Sequence, residues 1–214
     1  MLPDRDHRDR RAVCLIVPER FPDRFLAALC AGLGAGSSAA QRRVRAQRWF
    51  TPADEESSEV VVVVAQHIVD LGQVRELMSQ DVAHLPIAFS SGTAQVGPLV
   101  VPGSTACLCC VYATRADADP DWPRYAVSTI GRDPIDLDET LATSASVVAA
   151  QLIDAAARAP LNVSVTVEAS SWQRSEQVHR PHAACGCLSP AGNARVGVPV
   201  ALPPRKSGVS ARPG

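Results

Sequence analysis

The 214-residue sequence carries almost no net charge: 21 Lys and Arg stand against 22 Asp and Glu, giving −1 at pH 7. That balance excludes wholesale electrostatic capture of nucleic acid or of an anionic membrane surface as a main activity. Apolar runs of membrane length are also missing. The longest aliphatic stretch, Val60 to Ala65, falls far short of the ~20 residues a spanning helix requires. Met1 to Arg11 is charged and has no apolar stretch, so no secretory signal is expected. Seven cysteines, an odd number, argue against a disulfide framework and for a reduced, cytoplasmic chain. In such a chain the sequon at Asn162-Val163-Ser164 carries no meaning.

What is present is an alternation of strand and helix patterns, with 46% hydrophobic residues to build one main domain. Ala12 to Val17 reads as a strand. Phe21, Phe25, Leu26, Leu29 and Leu33 then recur at helical spacing until Gly32-Leu33-Gly34-Ala35-Gly36, which reads as a helix stop. A polar stretch, Arg42 to Glu59, reads as solvated loop. The valine run Val60 to Val64 follows, suited to a strand covered on both faces. Asp70 to Asp81 reads as a helix capped by Asp70, and His84 to Phe89 as the next strand. Strand, helix and strand with short links imply a right-handed crossover, so the fold class expected is α/β of Rossmann-like type. A further strand spans Gln95 to Val101 and an irregular segment Thr114 to Pro134. Asp138 to Ala159 is the longest helix, and Asn162 to Glu168 with Gln173 to His179 forms a hairpin turning near Ser170-Ser171. Residues 1–11 and the Pro, Gly, Ser and Arg-rich stretch 188–214 are expected to be disordered, leaving 12–187 as the domain.

The cysteines fall in two clusters, Cys107-Leu108-Cys109-Cys110 and Cys185-Gly186-Cys187. One spaced pair from each supplies four thiolates, the donor set of a closed tetrahedral zinc site with no open position for water. Reduced unliganded thiols are the alternative, and a labile disulfide a third. Cys107, Cys110, Cys185 and Cys187 are therefore the expected ligands of a structural zinc that clips the C-terminal hairpin to the sheet. Cys109 is expected to stand aside, because adjacent cysteines share one metal poorly. His179 and His182 are expected to hydrogen-bond the thiolates, with extension of the metal site or general-base work as the other uses of these rings. Trp122 and Trp172 are expected to pack over the knuckle, with an interface as the other use of these rings. Arg42, Arg43, Arg45 and Arg48 with Trp49 are a candidate contact for an acidic leader or partner, with solvated loop as the plainer reading.

Val96-Gly97-Pro98-Leu99-Val100-Val101-Pro102-Gly103 running into Thr105-Ala106-Cys107-Leu108-Cys109-Cys110, then Asp121-Trp122-Pro123, and finally Trp172 with His179-Arg180-Pro181-His182-Ala183-Ala184-Cys185-Gly186-Cys187, resemble the ThiF-type cyclodehydratase component of peptide-azoline biosynthesis. That family is related to the ubiquitin-activating enzymes. The resemblance covers about Val60 to Cys187, and Ala12 to Gly36 only by order of elements. It implies a ThiF-type sheet and a partner role: such a protein presents a ribosomal precursor peptide to a YcaO-type enzyme, and homodimers are common. Many relatives carry an N-terminal winged-helix domain that binds the leader by strand addition. Only about ten residues precede the first strand here, so that domain is expected to be missing and a separate leader-binding protein becomes a candidate partner.

An adenylating relative holds phosphates on a glycine-rich turn after its first strand, where backbone amides meet the helix N-terminus. This chain has Pro18-Glu19-Arg20-Phe21-Pro22-Asp23 there, and Gln66-His67 where such relatives carry a metal-binding Asp. The expectation is a degenerate nucleotide site: no ATP, no catalytic residues and no catalysis by the chain itself. Two alternatives stand beside this adaptor reading. One is an ATP-dependent adenylyltransferase acting on a peptide or carrier-protein C-terminus, and the other a stand-alone zinc-stabilised interaction module.

Overall fold

The computed structural model describes residues 12–35, 42–48, 60–130, 138–156, 158–159 and 161–188. The ends expected to be disordered, together with Gly36 and Trp49, lie outside the described residues, apart from the exposed turn residue Leu188. Seven strands form one mixed sheet: β1 (Ala12–Ile16), β2 (Arg43–Gln47), β3 (Val60–Gln66), β4 (His84–Ser90), β5 (Thr93–Val96), β6 (Val163–Glu168) and β7 (Arg174–Val178). Five helices are described: α1 (Asp23–Ala35), α2 (Leu71–Ser79), α3 (Leu108–Ala118), α4 (Trp122–Thr129) and α5 (Glu139–Ala156).

The sheet runs β2-β1-β3-β4-β5-β6-β7. The first four strands are parallel, with Cys14 opposite Val61 and Val62 opposite Leu85. The remaining pairs are antiparallel, with Ile87 opposite Val96, Val96 opposite Val165, and Val165 opposite Glu176. Successive side chains of a strand point to opposite faces, and β3 obeys this although all its valines are buried. Val60, Val62 and Val64 join Val13 and Leu15 under α1 and α5, with Phe25, Leu29, Leu141 and Val148. Val61 and Val63 join Cys14 and Ile16 under α2 and α3, with Val74, Leu77, Leu108 and Val111. Two covered faces explain why this strand reads as an unbroken apolar run.

Several sequence expectations are revised. The polar stretch from Arg42 contains β2, an edge strand parallel to β1 in which every residue is at least partly exposed. Arg42 itself is buried and ion-paired with Asp154 of α5. Gly32 does not stop α1. A Cβ there would lie 1.8 Å from Ser146 Oγ and 2.8 Å from Ser146 Cβ, so Gly32 lets α1 and α5 touch closely. Thr114 to Pro134, expected to be irregular, holds the end of α3 and all of α4, whose Pro123 sits in the first turn where its missing N–H is harmless. β5 begins at Thr93 and ends at Val96, and Val100 rejoins the sheet only as a bridge to His84.

Candidate metal centre

The first cysteine hook grows out of the segment after β5. Val101 N–H donates to Thr105 Oγ1 at 2.8 Å and the Thr105 hydroxyl donates to the Leu99 carbonyl at 3.2 Å, closing a tight turn ahead of Ala106. Cys107 then occupies the N-cap of α3, and Cys110 lies in its first turn. Positions three apart share one side of a helix, and the amides of a helix N-terminus favour negative charge on sulfur. The second hook follows β7. His179 N–H donates to the Asn162 carbonyl at 2.6 Å, and Cys185 N–H donates to the His182 carbonyl at 2.9 Å, turning the chain back toward α3.

The two hooks meet. Cys107 Sγ lies 3.7 Å from Cys110 and 3.6 Å from Cys185, Cys110 lies 3.4 Å from Cys187, and all four sulfurs fall within 4.8 Å of one another. Sulfurs around a tetrahedral zinc at ~2.3 Å stand roughly 3.8 Å apart, whereas a disulfide requires ~2.05 Å. The quartet therefore fits a metal ion and not a bridge. Val100 and Ala106 pack around it, and Cys107, Cys110 and Cys187 are buried. Without a cation three of the four thiols resist ionisation. Cys107 is pushed up by its bond to Cys109 and by burial, Cys187 chiefly by burial, and Cys185 by burial to about 11. Cys110 is also penalised by burial, yet main-chain bonding from His182 and its Cys187 contact bring it below the ordinary thiol value. A bound dication inverts this balance by ionising the coordinating thiols.

Cys109 is not among the four grouped sulfurs. It is half-buried, and its bond with Cys107, with Arg75 nearby, holds it down to about 7. The histidine rings take other partners than the thiolates. His179 Nε2 lies 2.7 Å from Ser164 Oγ, and His182 Nε2 lies 2.9 Å from Asp117 of α3. Trp122 packs on Tyr112 at 5.0 Å between ring centroids, while Trp172 sits 46% exposed at the hairpin turn, away from the position expected of it. Sequence reasoning missed the polar chain behind the hook, in which Arg115 donates to Gln95 at 2.6 Å and Gln95 to Ser164 at 3.4 Å. Its members are scattered over α3, β5 and β6, and no spacing rule joins them.

The order β2-β1-β3 reverses beside β1, and the carboxyl ends of β1 and β3 flank the switch point at which open α/β sheets take ligands. The β1–α1 turn lacks glycine. Pro18 and Pro22 have no N–H, Phe21 N–H is taken by the Pro18 carbonyl at 3.0 Å, and the same carbonyl accepts from Arg48. At the end of β3, His67 adopts φ 64°, its N–H donates to Phe89 at 2.6 Å, and its buried Nδ1 has no partner among the described residues.

No protein-family model and no curated protein sequence matches the chain. Solved structures do. A heterocyclase in complex with substrate and cofactor superposes with a TM-score of 0.58 at 17% identity, covering 84% of this chain and 25% of that one. The E. coli microcin synthetase McbBCD complex gives 0.56 at 14%, covering 87% and 72%. E. coli MccB gives 0.54 at 14%, covering 85% and 66%. The chain has a ThiF-type α/β fold. It spans about a quarter of the length of the heterocyclase.

These likenesses correct two expectations. The chain was expected to be without catalysis and without ATP, but the matched proteins are a heterocyclase solved with substrate and cofactor, a microcin synthetase and MccB. The missing glycines of the β1–α1 turn describe how one loop is built and do not exclude a nucleotide. Among the described residues, no helix is long and apolar enough to cross a membrane.

Proposed function

We propose that this chain is a ThiF-type domain that uses ATP to adenylate the C-terminal carboxylate of a peptide or carrier protein, with zinc held by Cys107, Cys110, Cys185 and Cys187. The observation that carries the reading is the match to MccB over 85% of this chain and 66% of that one. The sheet topology supports as its site the crevice beyond the carboxyl ends of β1 and β3, with Gln66 and His67 at the end of β3. In the reaction a carboxylate oxygen attacks the α-phosphorus, a P–O bond forms, the bond to the bridging oxygen breaks and pyrophosphate leaves. Because the β1–α1 turn offers few amides, side chains replace them as phosphate partners. Zinc supplies no chemistry to this step. It closes the fold around the hooks that hold it.

A second reading is favoured by the heterocyclase match, at the higher TM-score of 0.58: the domain serves a YcaO-type enzyme that forms azolines in a precursor peptide, with or without a separate leader-binding protein. One experiment separates the two. The purified chain is incubated with ATP, radiolabelled pyrophosphate and candidate peptides, with and without a YcaO enzyme. Peptide-dependent exchange of label into ATP supports adenylation. Loss of water from the peptide only when the YcaO enzyme is added supports the second reading, and no nucleotide turnover in either mixture overturns both.

A further inference from the structure

Asn162 stands at the entry to β6, remote in sequence from the first cysteine hook, and it bonds to both hooks. Its side-chain Oδ1 accepts from the N–H of Ala106, the residue before Cys107, at 2.7 Å. Its main-chain carbonyl accepts from His179 N–H at 2.6 Å, where the second hook leaves β7. Ala106 is fully buried, so its amide has no water to turn to. Of the other anchors, Thr105 and Ser164 hold one hook each, while Asp117, on the helix of the first hook, also reaches the second. Thr105 ties the first turn to Leu99 and Val101, Ser164 meets the His179 ring, and Asp117 meets the His182 ring. Asn162 differs from Asp117 in holding main-chain amides of both hooks, one of them directly before Cys107.

We infer that Asn162 is a positioning residue for the metal centre: it sets the spacing of the two cysteine hooks before any ion arrives, so the four sulfurs converge from the fold itself. The inference rests on the cysteine quartet being a metal site. Removing the side-chain acceptor leaves a buried N–H unpaired, and the main chain of the first hook loses its tie to the second. The ion then has to order what the protein ordered before. Partners behind a metal's ligands typically change affinity about 10- to 100-fold when removed.

Cobalt(II) is the probe, because its thiolate charge-transfer bands report sulfur ligation directly. In the full chain, Asn162→Ala is expected to lose cobalt to a chelator about 10- to 100-fold faster than wild type, with its far-ultraviolet circular dichroism unchanged. Asn162→Asp, which keeps an acceptor oxygen in place, is expected to stay within a few-fold of wild type, on the order of the lower end of that range or less. Release from the Ala variant at the wild-type rate overturns the inference, and so does an Asp variant as fast as the Ala variant. A wild-type chain that takes up no cobalt overturns the metal reading and this inference with it, a different result from uptake that the variants do not alter. Should Asn162→Ala fail to fold, hydrogen exchange at the Ala106 amide in chelator-treated wild type decides: retained protection supports the inference, and exchange at the rate of an open amide overturns it.

Discussion

His84 is an imidazole with no exposed surface. Its Nδ1 meets the Val82 carbonyl at 2.9 Å, and its Nε2 has no partner among the described residues. Burial therefore keeps the ring neutral and pushes its pKa down to about 4. In the unfolded chain the ring titrates near its ordinary ~6.5. Between those values the unfolded state binds a proton that the folded state refuses, so the contribution to stability is complete above pH ~6.5 and is lost as pH falls toward ~4. The shift corresponds to about 3 kcal/mol at most. Urea midpoints measured at pH 7 and pH 5 should fall less in His84→Gln than in wild type, and equal falls would refute this. At Gly32 the expectation is steric. Gly32→Ala gains helix propensity of ~1 kcal/mol but drives a methyl into Ser146, for a net loss of roughly 1–2 kcal/mol. A double-mutant cycle with Ser146→Gly checks it, since relief of the contact should appear as coupling between the two sites.

Among the elements, α2 is the one whose start the sequence states most openly. Asp70 accepts the Gly72 N–H at 2.8 Å, as its position before an apolar repeat suggests. Asp70→Ala should cost about 1 kcal/mol in thermal or urea unfolding, and a variant of wild-type stability would show the cap to be idle. β3, α5 and the β6–β7 hairpin were legible for the same kind of reason: one strong period, or a run buried on both faces. β2 was not, because Arg43-Val44-Arg45-Ala46-Gln47 is an edge strand with no buried residue to announce it. α3 and α4 were obscured by composition, as cysteines at the head of one and Asp, Trp and Pro at the head of the other resemble loop chemistry until the first-turn positions are known. The cysteine quartet was readable from spacing alone. Its supports, Asn162, Ser164 and Asp117, were not, since single hydrogen bonds between distant segments leave no periodic trace.

For the whole molecule, the nearest sulfurs of the two hooks belong to residues 77 and 78 positions apart. A link closing a loop of that size removes conformational freedom from the unfolded chain worth about 4.5 kcal/mol in the chain-entropy picture. Chelation of the metal, or Cys187→Ser, should therefore lower the melting temperature by on the order of 10 °C for a domain of this length, and an unmoved transition would show that no ion links the hooks. Metal uptake should also release protons, because Cys107, Cys185 and Cys187 hold theirs tightly in the free protein. Apparent affinity then weakens as pH falls, which titration in two buffers of different protonation enthalpy would reveal.

The stretch of chain bounded by the hooks includes α5, and α5 lies across the sheet from the cysteines, against α1. The cysteine quartet is thus a clasp on a belt that passes over both faces of the protein. Undoing it should slacken the layer farthest from the metal as well as the one beside it, so amides of α5 would begin to exchange with solvent while the sulfurs that triggered the change sit on the opposite side.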